Sequence, residues 1–214
     1  MQAFAVAGNS FIITRMPSLR RICVYCGSNS GNDPVHRNAA HDLGGFLARN
    51  GIGVVYGGGN IGLMGALADG ALAQSGEVIG VIPQALLEKE LGHRGVTELR
   101  VVGSMHERKQ MMVDLSDGFI ALPGGFGTLD ELFETLTWLQ LAFHDKPVGL
   151  LNVGGFFDGL VDFIHHMSHS GYLKPEHAAC VLVETGTEKL LQRMQSFSPP
   201  DLGKWIEKLA ASAR

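Results

Sequence analysis

The chain has 214 residues, of which 45% are hydrophobic, and its formal net charge is −4. This size and hydrophobic content suit one compact domain and exclude a disordered chain. The negative charge offers no general attraction to nucleic acid or to an anionic membrane, so any phosphate site has to be local. The three cysteines are an odd number, which argues against a disulfide framework and favours a cytoplasmic protein.

Apolar runs of strand length alternate with helix-like segments along the whole chain. In chain order, the predicted elements are strand Arg21–Cys26, helix Pro34–Asn50, strand Ile52–Tyr56, helix Leu63–Gln74, strand Val78–Pro83, strand Leu99–Val102, helix Met105–Leu115, strand Gly118–Leu122, helix Leu129–Phe143, strand Val148–Leu151, helix Phe156–Ser168 and strand Cys180–Val183. Continuous apolar strands separated by helices indicate a parallel sheet that is covered on both faces. The predicted fold class is therefore α/β, a single Rossmann-like domain with a doubly wound parallel sheet.

The domain is expected to span residues 19–195. Residues 1–18 are predicted to be a disordered N-terminal extension, and residues 196–214 a C-terminal helical tail in which Leu202–Ala213 forms a surface helix. The first sixteen residues are apolar but lack a basic leader, so they make a poor secretory signal. No run approaches the ~20 apolar residues of a membrane span.

The most informative stretch is the glycine-rich turn Gly124–Thr128, which joins a predicted strand to a predicted helix. Bare backbone N–H groups at the positive end of a helix suit an anion such as phosphate. Glu131 adds a carboxylate beside this turn, which phosphate binding alone does not require. The pattern T-x-x-E also predicts a capping box, with Thr128 as the N-cap and Glu131 three residues later. The sequence leaves both roles of Glu131 open.

Three small-residue loops follow predicted strands and are expected to line one crevice at the carboxyl edge of the sheet: Gly27-Ser28, Gly57–Gly62 and Gly124–Thr128. The second loop formally matches the dinucleotide pattern G-x-G-x-x-G. That fold also places an acid at the end of the next strand, which here ends at Ile82-Pro83. A nicotinamide enzyme is therefore disfavoured, and tight turns explain these glycines adequately.

Arg108 is predicted to point inward, because it lies on the same helical stripe as Met105, Met112 and Leu115. A guanidinium does not readily lose its proton, so an inward-pointing arginine requires an anionic partner. The candidate partners are a structural carboxylate, the Glu131 carboxylate and a substrate phosphate. The next residue, Lys109, lies about 100° round the helix and would serve a different group or only solvent.

Two other patterns have plain structural explanations, and a third motif is absent. Cys23 and Cys26 have C-x-x-C spacing but fall within one strand, where the pleat sets them apart, so we predict core thiols. His165 and His169 have i,i+4 spacing without a nearby carboxylate or cysteine ligand, so surface histidines are expected and no metal site. No G-x-S-x-G elbow supports a serine hydrolase.

Several of these motifs together resemble one known family, the LONELY GUY (LOG) family of cytokinin riboside 5′-monophosphate phosphoribohydrolases, which are often mislabelled as lysine decarboxylases. The resemblance runs from about Ile22 to Leu173, and Phe126 stands where tyrosine is common. The matching segments are Pro123–Glu131 with the pattern P-G-G-x-G-T-x-x-E, Met105–Lys109, Tyr56–Gly59, Gly62–Gly65, Thr137–Leu141 and Lys146–Asn152.

The resemblance implies hydrolysis of the N-glycosidic bond of a nucleoside 5′-monophosphate, giving free base and ribose 5-phosphate. It also implies a homodimer without a metal or an organic cofactor, and Arg108 and Glu131 as the catalytic pair. The residues that it assigns to substrate binding are Glu90, Lys109, Gly125, Gly127, Thr128, Glu134 and Thr137. The predicted substrate-binding set also includes Ser28, Gly58, Gly59, Met105, Gly124 and Phe126, which lie in the glycine loops and the matching motifs.

Two other functions stay open at this point. One is a non-catalytic nucleotide-binding or sensing protein that uses the same crevice. The other is a lysine decarboxylase, which needs a lysine for the pyridoxal Schiff base. The matching segments contain two lysines, Lys109 and Lys146, and only Lys109 is among the residues assigned to the site. The preferred base, prenylated adenine or adenine, is not evident from the sequence.

Overall fold

The computed structural model describes residues 19–87, 89 and 92–200. The predicted N-terminal extension, Glu90 and the predicted helix Leu202–Ala213 lie outside the described residues. The strands are β1 Arg21–Tyr25, β2 Gly53–Tyr56, β3 Val78–Pro83, β4 Glu98–Val102, β5 Gly118–Ala121, β6 Val148–Leu151 and β7 Val181–Glu184. The helices are α1 Pro34–Arg49, α2 Gly62–Leu72, α3 Gln84–Leu87, α4 Met105–Asp114, α5 Phe126–Gln140, α6 Asp158–His169, α7 Pro175–Ala178 and α8 Thr187–Gln195, and a 3₁₀ turn spans Val153–Gly155.

The described strands form one parallel sheet of order β4-β3-β2-β1-β5-β6-β7. Strand β1 stands at the point where the strand order reverses, since Val24 pairs with Tyr56 of β2 on one side and with Ile120 of β5 on the other. In such sheets a crevice opens outside the carboxyl ends of the two strands at this switch point. The predicted doubly wound α/β fold is confirmed, and it directs attention to the loops after β1 and β5.

A hydrophobic core lies on each face of the sheet. Helices α1, α2 and α8 cover one face, while α4, α5 and α6 cover the other. Cys26 belongs to the first core and Cys23 to the second, so the pleat separates the two thiols as predicted. Burial raises the pKa of both thiols well above the usual range, which keeps them protonated.

Helix α5 begins at Phe126, three residues earlier than the sequence predicts, and its N-cap is Gly125. The predicted capping box is therefore wrong: Thr128 is the third residue of the helix, and Glu131 lies in its second turn. A glycine N-cap has no side chain, and none caps this helix. The physical reason is that Pro123-Gly124-Gly125 already breaks the chain, so helical geometry can begin directly after the second glycine.

Helices α3, α7 and α8 were not predicted from the sequence. Helix α8 buries Leu190, Leu191 and Met194, a helical periodicity that the sequence does contain. None of the helices in the described part of the chain is long and apolar enough to cross a membrane.

Candidate active site

A cleft of about 460 Å³ opens at the carboxyl edge of the sheet, where the loops after β1 and β5 meet. Its walls come from the β1–α1 loop, the β5–α5 loop and the first turns of α2, α4 and α5. The lining residues are Cys26, Gly27, Ser28, Asn29, Ser30, Gly31, His36, Leu63, Met64, Leu86, Met105, Arg108, Pro123, Gly124, Gly125, Phe126, Gly127, Thr128, Glu131 and Phe156.

One wall of the cleft is the start of α5. The first N–H groups of a helix have no intrahelical acceptor, and here Gly125 provides no capping side chain for them. The backbone N–H groups of Phe126, Gly127 and Thr128 therefore stand at the positive end of a 15-residue helix that borders the cleft. This is the geometry of an anion site.

The two loops of the cleft pack directly against each other. The Gly27 N–H donates to the Pro123 carbonyl at 3.0 Å. A side chain at Gly124 would collide with Thr128 and approach the Gly27 nitrogen, so this contact requires glycine. The small residues thus let two backbone segments form one continuous floor.

Arg108 and Glu131 meet inside the cleft and form a buried ion pair. Nη1 of Arg108 lies 3.1 Å from Oε1 of Glu131, and the two side chains are only 7% and 8% exposed. They are the two charged side chains among the described residues that line the cleft, so its net side-chain charge is zero. The predicted inward orientation of Arg108 is confirmed.

Backbone carbonyls fix the rest of the Arg108 guanidinium. Nε donates to the Val81 carbonyl at 3.1 Å, and Nη2 donates to the Gly57 carbonyl at 3.4 Å. A Cβ at Gly57 would occupy the position of Nη2, so glycine is required behind the arginine. The arginine is held from three directions.

The helical stripe that was expected around Arg108 is partly wrong. The buried residues of α4 are Arg108, Met112 and Val113. Met105 is instead 42% exposed and lines the cleft, with its sulfur 3.9 Å from Nη1 of Arg108. The first turn of α4 therefore faces the cleft and not the core.

A buried hydroxyl relay positions the helix turn that carries Glu131. The Thr135 hydroxyl donates to the Glu131 carbonyl at 2.8 Å and accepts from the Tyr25 hydroxyl, also at 2.8 Å. Burial raises the pKa of the Tyr25 hydroxyl well above its usual range, so it remains a neutral donor. This link ties the second turn of α5 to the end of β1. Sequence reasoning missed it, because a buried Thr–Tyr contact across 110 residues has no local pattern.

The structure brings together most of the predicted site residues. Those that line the cleft are Ser28, Met105, Arg108, Gly124, Gly125, Phe126, Gly127, Thr128 and Glu131. Those that do not are Gly58, Gly59, Lys109, Glu134 and Thr137, and Glu90 lies outside the described residues.

The loop Gly57–Gly62 supports the cleft from behind instead of lining it, which corrects the expectation of three lining loops. Its Gly58 carbonyl accepts from the His93 N–H at 3.0 Å, and Gly59 forms a bridge with Gly92. Gly62 approaches the backbone of Ser28 so closely that a side chain would not fit. The glycines therefore hold the β1–α1 loop and Arg108 in place.

Lys109 pairs with two carboxylates of α5 outside the cleft lining. Its Nζ lies 3.1 Å from Oε2 of Glu134 and 3.2 Å from Oδ2 of Asp130. Burial lowers the pKa of Lys109, but the hydrogen bonds to these carboxylates outweigh that effect and raise it overall. No lysine is found among the described residues that line the cleft, so a Schiff-base lysine has no candidate there.

Thr137 lies farther along α5 and is exposed, and its hydroxyl donates to the Phe133 carbonyl at 2.7 Å. It borders a separate apolar groove between α5 and α6. It therefore lies outside the cleft lining, although it is among the residues predicted to bind substrate.

No group of three potential metal ligands is present among the residues described. His165 and His169 are exposed on α6, as predicted. Sequence reasoning missed two cleft residues, His36 and Phe156, whose rings lie edge to face with centroids 5.7 Å apart. Their positions after β1 and β6 were the available signal, since both follow carboxyl ends of strands on the side of the sheet that contains β5.

Comparisons with known proteins agree with the motifs. Residues 64–194 match the family model described as "Possible lysine decarboxylase". The chain is 45% identical over 181 residues to a probable cytokinin riboside 5′-monophosphate phosphoribohydrolase of Oryza sativa subsp. japonica, covering 85% of this chain and 74% of that protein. It is 44% identical over 180 residues to a cytokinin riboside 5′-monophosphate phosphoribohydrolase of Arabidopsis thaliana, covering 84% of each.

Solved structures show the same fold. The molybdenum cofactor binding protein from Rippkaea orientalis has a TM-score of 0.61 at 26% identity, covering 86% of this chain and 98% of that one. The molybdenum cofactor carrier protein of Chlamydomonas reinhardtii has a TM-score of 0.63 at 22% identity, covering 83% and 98%. The matched family model and the two plant relatives, whose sequences are aligned over 74% and 84% of their length, confirm the resemblance seen in the motifs. This chain belongs to the LOG family of cytokinin riboside 5′-monophosphate phosphoribohydrolases.

Proposed function

We propose that this protein is a phosphoribohydrolase, which cleaves the N-glycosidic bond of a nucleoside 5′-monophosphate to give free base and ribose 5-phosphate. The relatives named for this activity support the proposal. The observation that carries it is the buried Arg108–Glu131 pair, at 3.1 Å, in the same cleft as an uncapped helix N-terminus. Phosphate binding alone would not require a carboxylate in that cleft.

The phosphate of the substrate would bind to the backbone N–H groups at the start of α5. The flanking Gly124 and Gly125, the Thr128 hydroxyl and Ser28 from the opposite loop would complete this subsite. Because these donors lie on the first turn of α5 and Glu131 on the second, a bound ribose would extend from the phosphate towards the carboxylate.

Glu131 would act at the anomeric carbon. Cleavage of a glycosidic bond passes through an oxocarbenium-like state, which a nearby carboxylate stabilises, and the same carboxylate can orient the attacking water. The water oxygen bonds to C1′, the bond from C1′ to the base nitrogen breaks, and the base leaves with that electron pair and a proton. Arg108, which faces the Glu131 carboxylate at 3.1 Å, would hold the phosphate or the ribose in line.

The remaining substrate-binding assignments follow from family membership, and their positions differ. Met105 and Phe126 line the mouth of the cleft, where the Phe126 ring is 93% exposed. Gly58 and Gly59 would contribute through the loop behind Arg108. A nucleotide would reach Lys109, Glu134 and Thr137 only beyond the cleft lining. Glu90 is assigned on the family resemblance alone.

The decisive experiment is Glu131→Gln, with release of free base from AMP and from isopentenyl-AMP followed by chromatography. We expect kcat to fall by about a thousandfold, because the variant loses the carboxylate charge but keeps nearly the same shape. Binding of AMP, measured by calorimetry, should persist. Asp130→Asn is the matched control, since Asp130 is the preceding residue of the same helix but is exposed outside the cleft.

Each result has a clear meaning. Unchanged turnover in Glu131→Gln would remove Glu131 from the mechanism. Tight AMP binding with no base release by the wild-type protein would favour the alternative, a non-catalytic nucleotide-binding or sensing protein. The ratio of the two substrates' kcat/KM values would give the base preference.

We also infer that the protein is a cytoplasmic homodimer. The three buried cysteines carry free thiols, which suits a reducing compartment. An apolar groove of about 250 Å³ between α5 and α6 lies beside exposed aromatic residues, among them Tyr172 at 87% exposure, and a second copy would cover this surface. Sedimentation equilibrium measures the mass directly, and a monomer at micromolar concentration would contradict the dimer.

A further inference from the structure

The described side chains that line the cleft supply no net positive charge for the phosphate of a bound substrate. A phosphate monoester carries close to two negative charges at neutral pH. The only cationic side chain among the described lining residues, Arg108, already faces Glu131. Backbone N–H groups supply partial positive charge, but no described side chain of the cleft supplies a net one. A further cationic donor would therefore strengthen binding of the dianion.

His36 is the other titratable side chain with a nitrogen at the cleft wall. It lies in the first turn of α1, directly after the β1–α1 loop, and is half-buried. In the described part of the structure, its ring makes no hydrogen bond or ion pair with another side chain. Both ring nitrogens are therefore available to a ligand.

The imidazole lies between two left-handed glycine turns. Gly31, at φ +70°, lies on the Nδ1 side, and Gly154, at φ +61°, lies on the Nε2 side. A Cβ at either glycine would come within 4 Å of the ring, at 3.6 Å and 3.8 Å. The ring thus stands between the β1–α1 loop and the turn after β6.

Phe156 holds the imidazole in that position. Its ring meets His36 edge to face at 5.7 Å and meets the buried Phe157 ring at 5.0 Å. The turn beneath is fixed by Asn152, which accepts from the Phe157 N–H at 2.8 Å and donates to Asp158 at 2.7 Å. The aromatic chain gives the histidine a defined position at the cleft, unlike a mobile surface side chain.

We propose that His36 is a phosphate-binding residue of this cleft and that it carries a proton when the 5′-phosphate is bound. This inference rests on the proposed function. It concerns the phosphate end, because His36 adjoins Gly31 of the loop that packs on the anion turn through Gly27 and Pro123. An adjacent phosphate favours the charged form of an imidazole.

The charged groups around His36 are compatible with that role. On its own helix, Asp33 caps the N-terminus by accepting from the Val35 N–H, and Arg37 is exposed. Across from it, Asp158 accepts from Asn152, and the Arg108–Glu131 pair lies across the cleft. None of these groups forms an ion pair with His36 in the described structure, so the phosphate would be its first anionic partner.

The test is binding of ribose 5-phosphate by calorimetry at pH 6.5 and at pH 8.5, with no turnover involved. The phosphate is mainly a dianion at both pH values. We expect His36→Gln to weaken Kd by about tenfold at pH 6.5 and by less than about threefold at pH 8.5, the loss of one charge-assisted hydrogen bond. His36→Arg should bind tightly at both pH values, because its charge does not depend on pH in this range. The control is His41→Gln, because His41 is an exposed histidine on the same helix.

The outcomes separate this inference from the proposed hydrolysis. An unchanged Kd in His36→Gln at pH 6.5, or an equal loss of affinity at both pH values, would contradict the proposal that a protonated His36 binds the phosphate. If ribose 5-phosphate binding depends on His36 as expected while AMP releases no base, the phosphate subsite stands and the hydrolase proposal fails.

Discussion

Arg108 and Lys109 are neighbours on α4, and both pair with carboxylates of α5, but the two ion pairs lie in different environments. The Arg108–Glu131 pair is over nine-tenths buried and borders the cleft. Lys109, whose own side chain is 12% exposed, meets two more exposed carboxylates outside the cleft lining, Glu134 at 26% and Asp130 at 60%. Consecutive residues of a helix point about 100° apart, so Arg108 faces the cleft whereas Lys109 lies outside its lining.

The difference shows which pair is costly to maintain. Burying two charges carries a desolvation penalty that the attraction between them only partly offsets, whereas exposed pairs are nearly neutral for stability. A protein that needed only to join α4 to α5 would be served by the Lys109 network. The buried pair is therefore the one for which stability gives no reason, and function is the remaining explanation.

The largest expected effect comes from Arg108→Met. Removing the cation that faces a buried carboxylate should lower the free energy of unfolding by about 3 kcal/mol or more, and base release should fall below detection. The double variant Arg108→Met/Glu131→Met replaces the pair by apolar side chains, and it should recover stability without recovering activity. Urea unfolding and the base-release assay measure the two properties. A double variant that stays as unstable as the single one would show that the pair stabilises the fold, and the comparison would fail.

A smaller effect is expected from Gly57→Ala, which tests how Arg108 is held. The added methyl group would occupy the position of Nη2, so the guanidinium has to move. A displacement of this kind should lower kcat/KM by about a hundredfold, with a smaller change in melting temperature than in Arg108→Met. The matched control is Gly159→Ala on α6, where a Cβ meets nothing within 4 Å and the loss of a helical glycine should stabilise slightly. Wild-type turnover in Gly57→Ala would mean that the position of Nη2 is not critical.

The contrast between the two pairs also marks how far the sequence leads. Periodicity predicted the sheet, since strands buried on both faces are continuous apolar runs, and the inward position of Arg108 followed from its helical stripe. The start of α5 was predicted wrongly, because Thr128 and Gly125 are both acceptable N-caps locally. The acceptors of Arg108 at Gly57 and Val81 are backbone carbonyls, which every residue has, so no pattern in the sequence identifies them. The partners of Lys109 could not be predicted without knowing how α4 packs on α5.

Lys109→Met should have the smallest effect, and it decides whether this lysine serves the nucleotide, as family membership suggests, or only α5. We expect a stability loss of about 1 kcal/mol or less, since the carboxylates are partly exposed. We expect a decrease in kcat/KM at least about tenfold smaller than in Arg108→Met.

The folded-state pKa of Lys109 is raised, so the contribution of Lys109 to stability is fully present below the unfolded value of about 10.4 and is lost as the pH rises through the folded value. The stability difference between wild type and variant should therefore be constant from pH 7 to pH 9 and disappear in stronger alkali. If kcat/KM fell as far as in Arg108→Met while stability changed this little, Lys109 would contact substrate, and both ion pairs would belong to the active site.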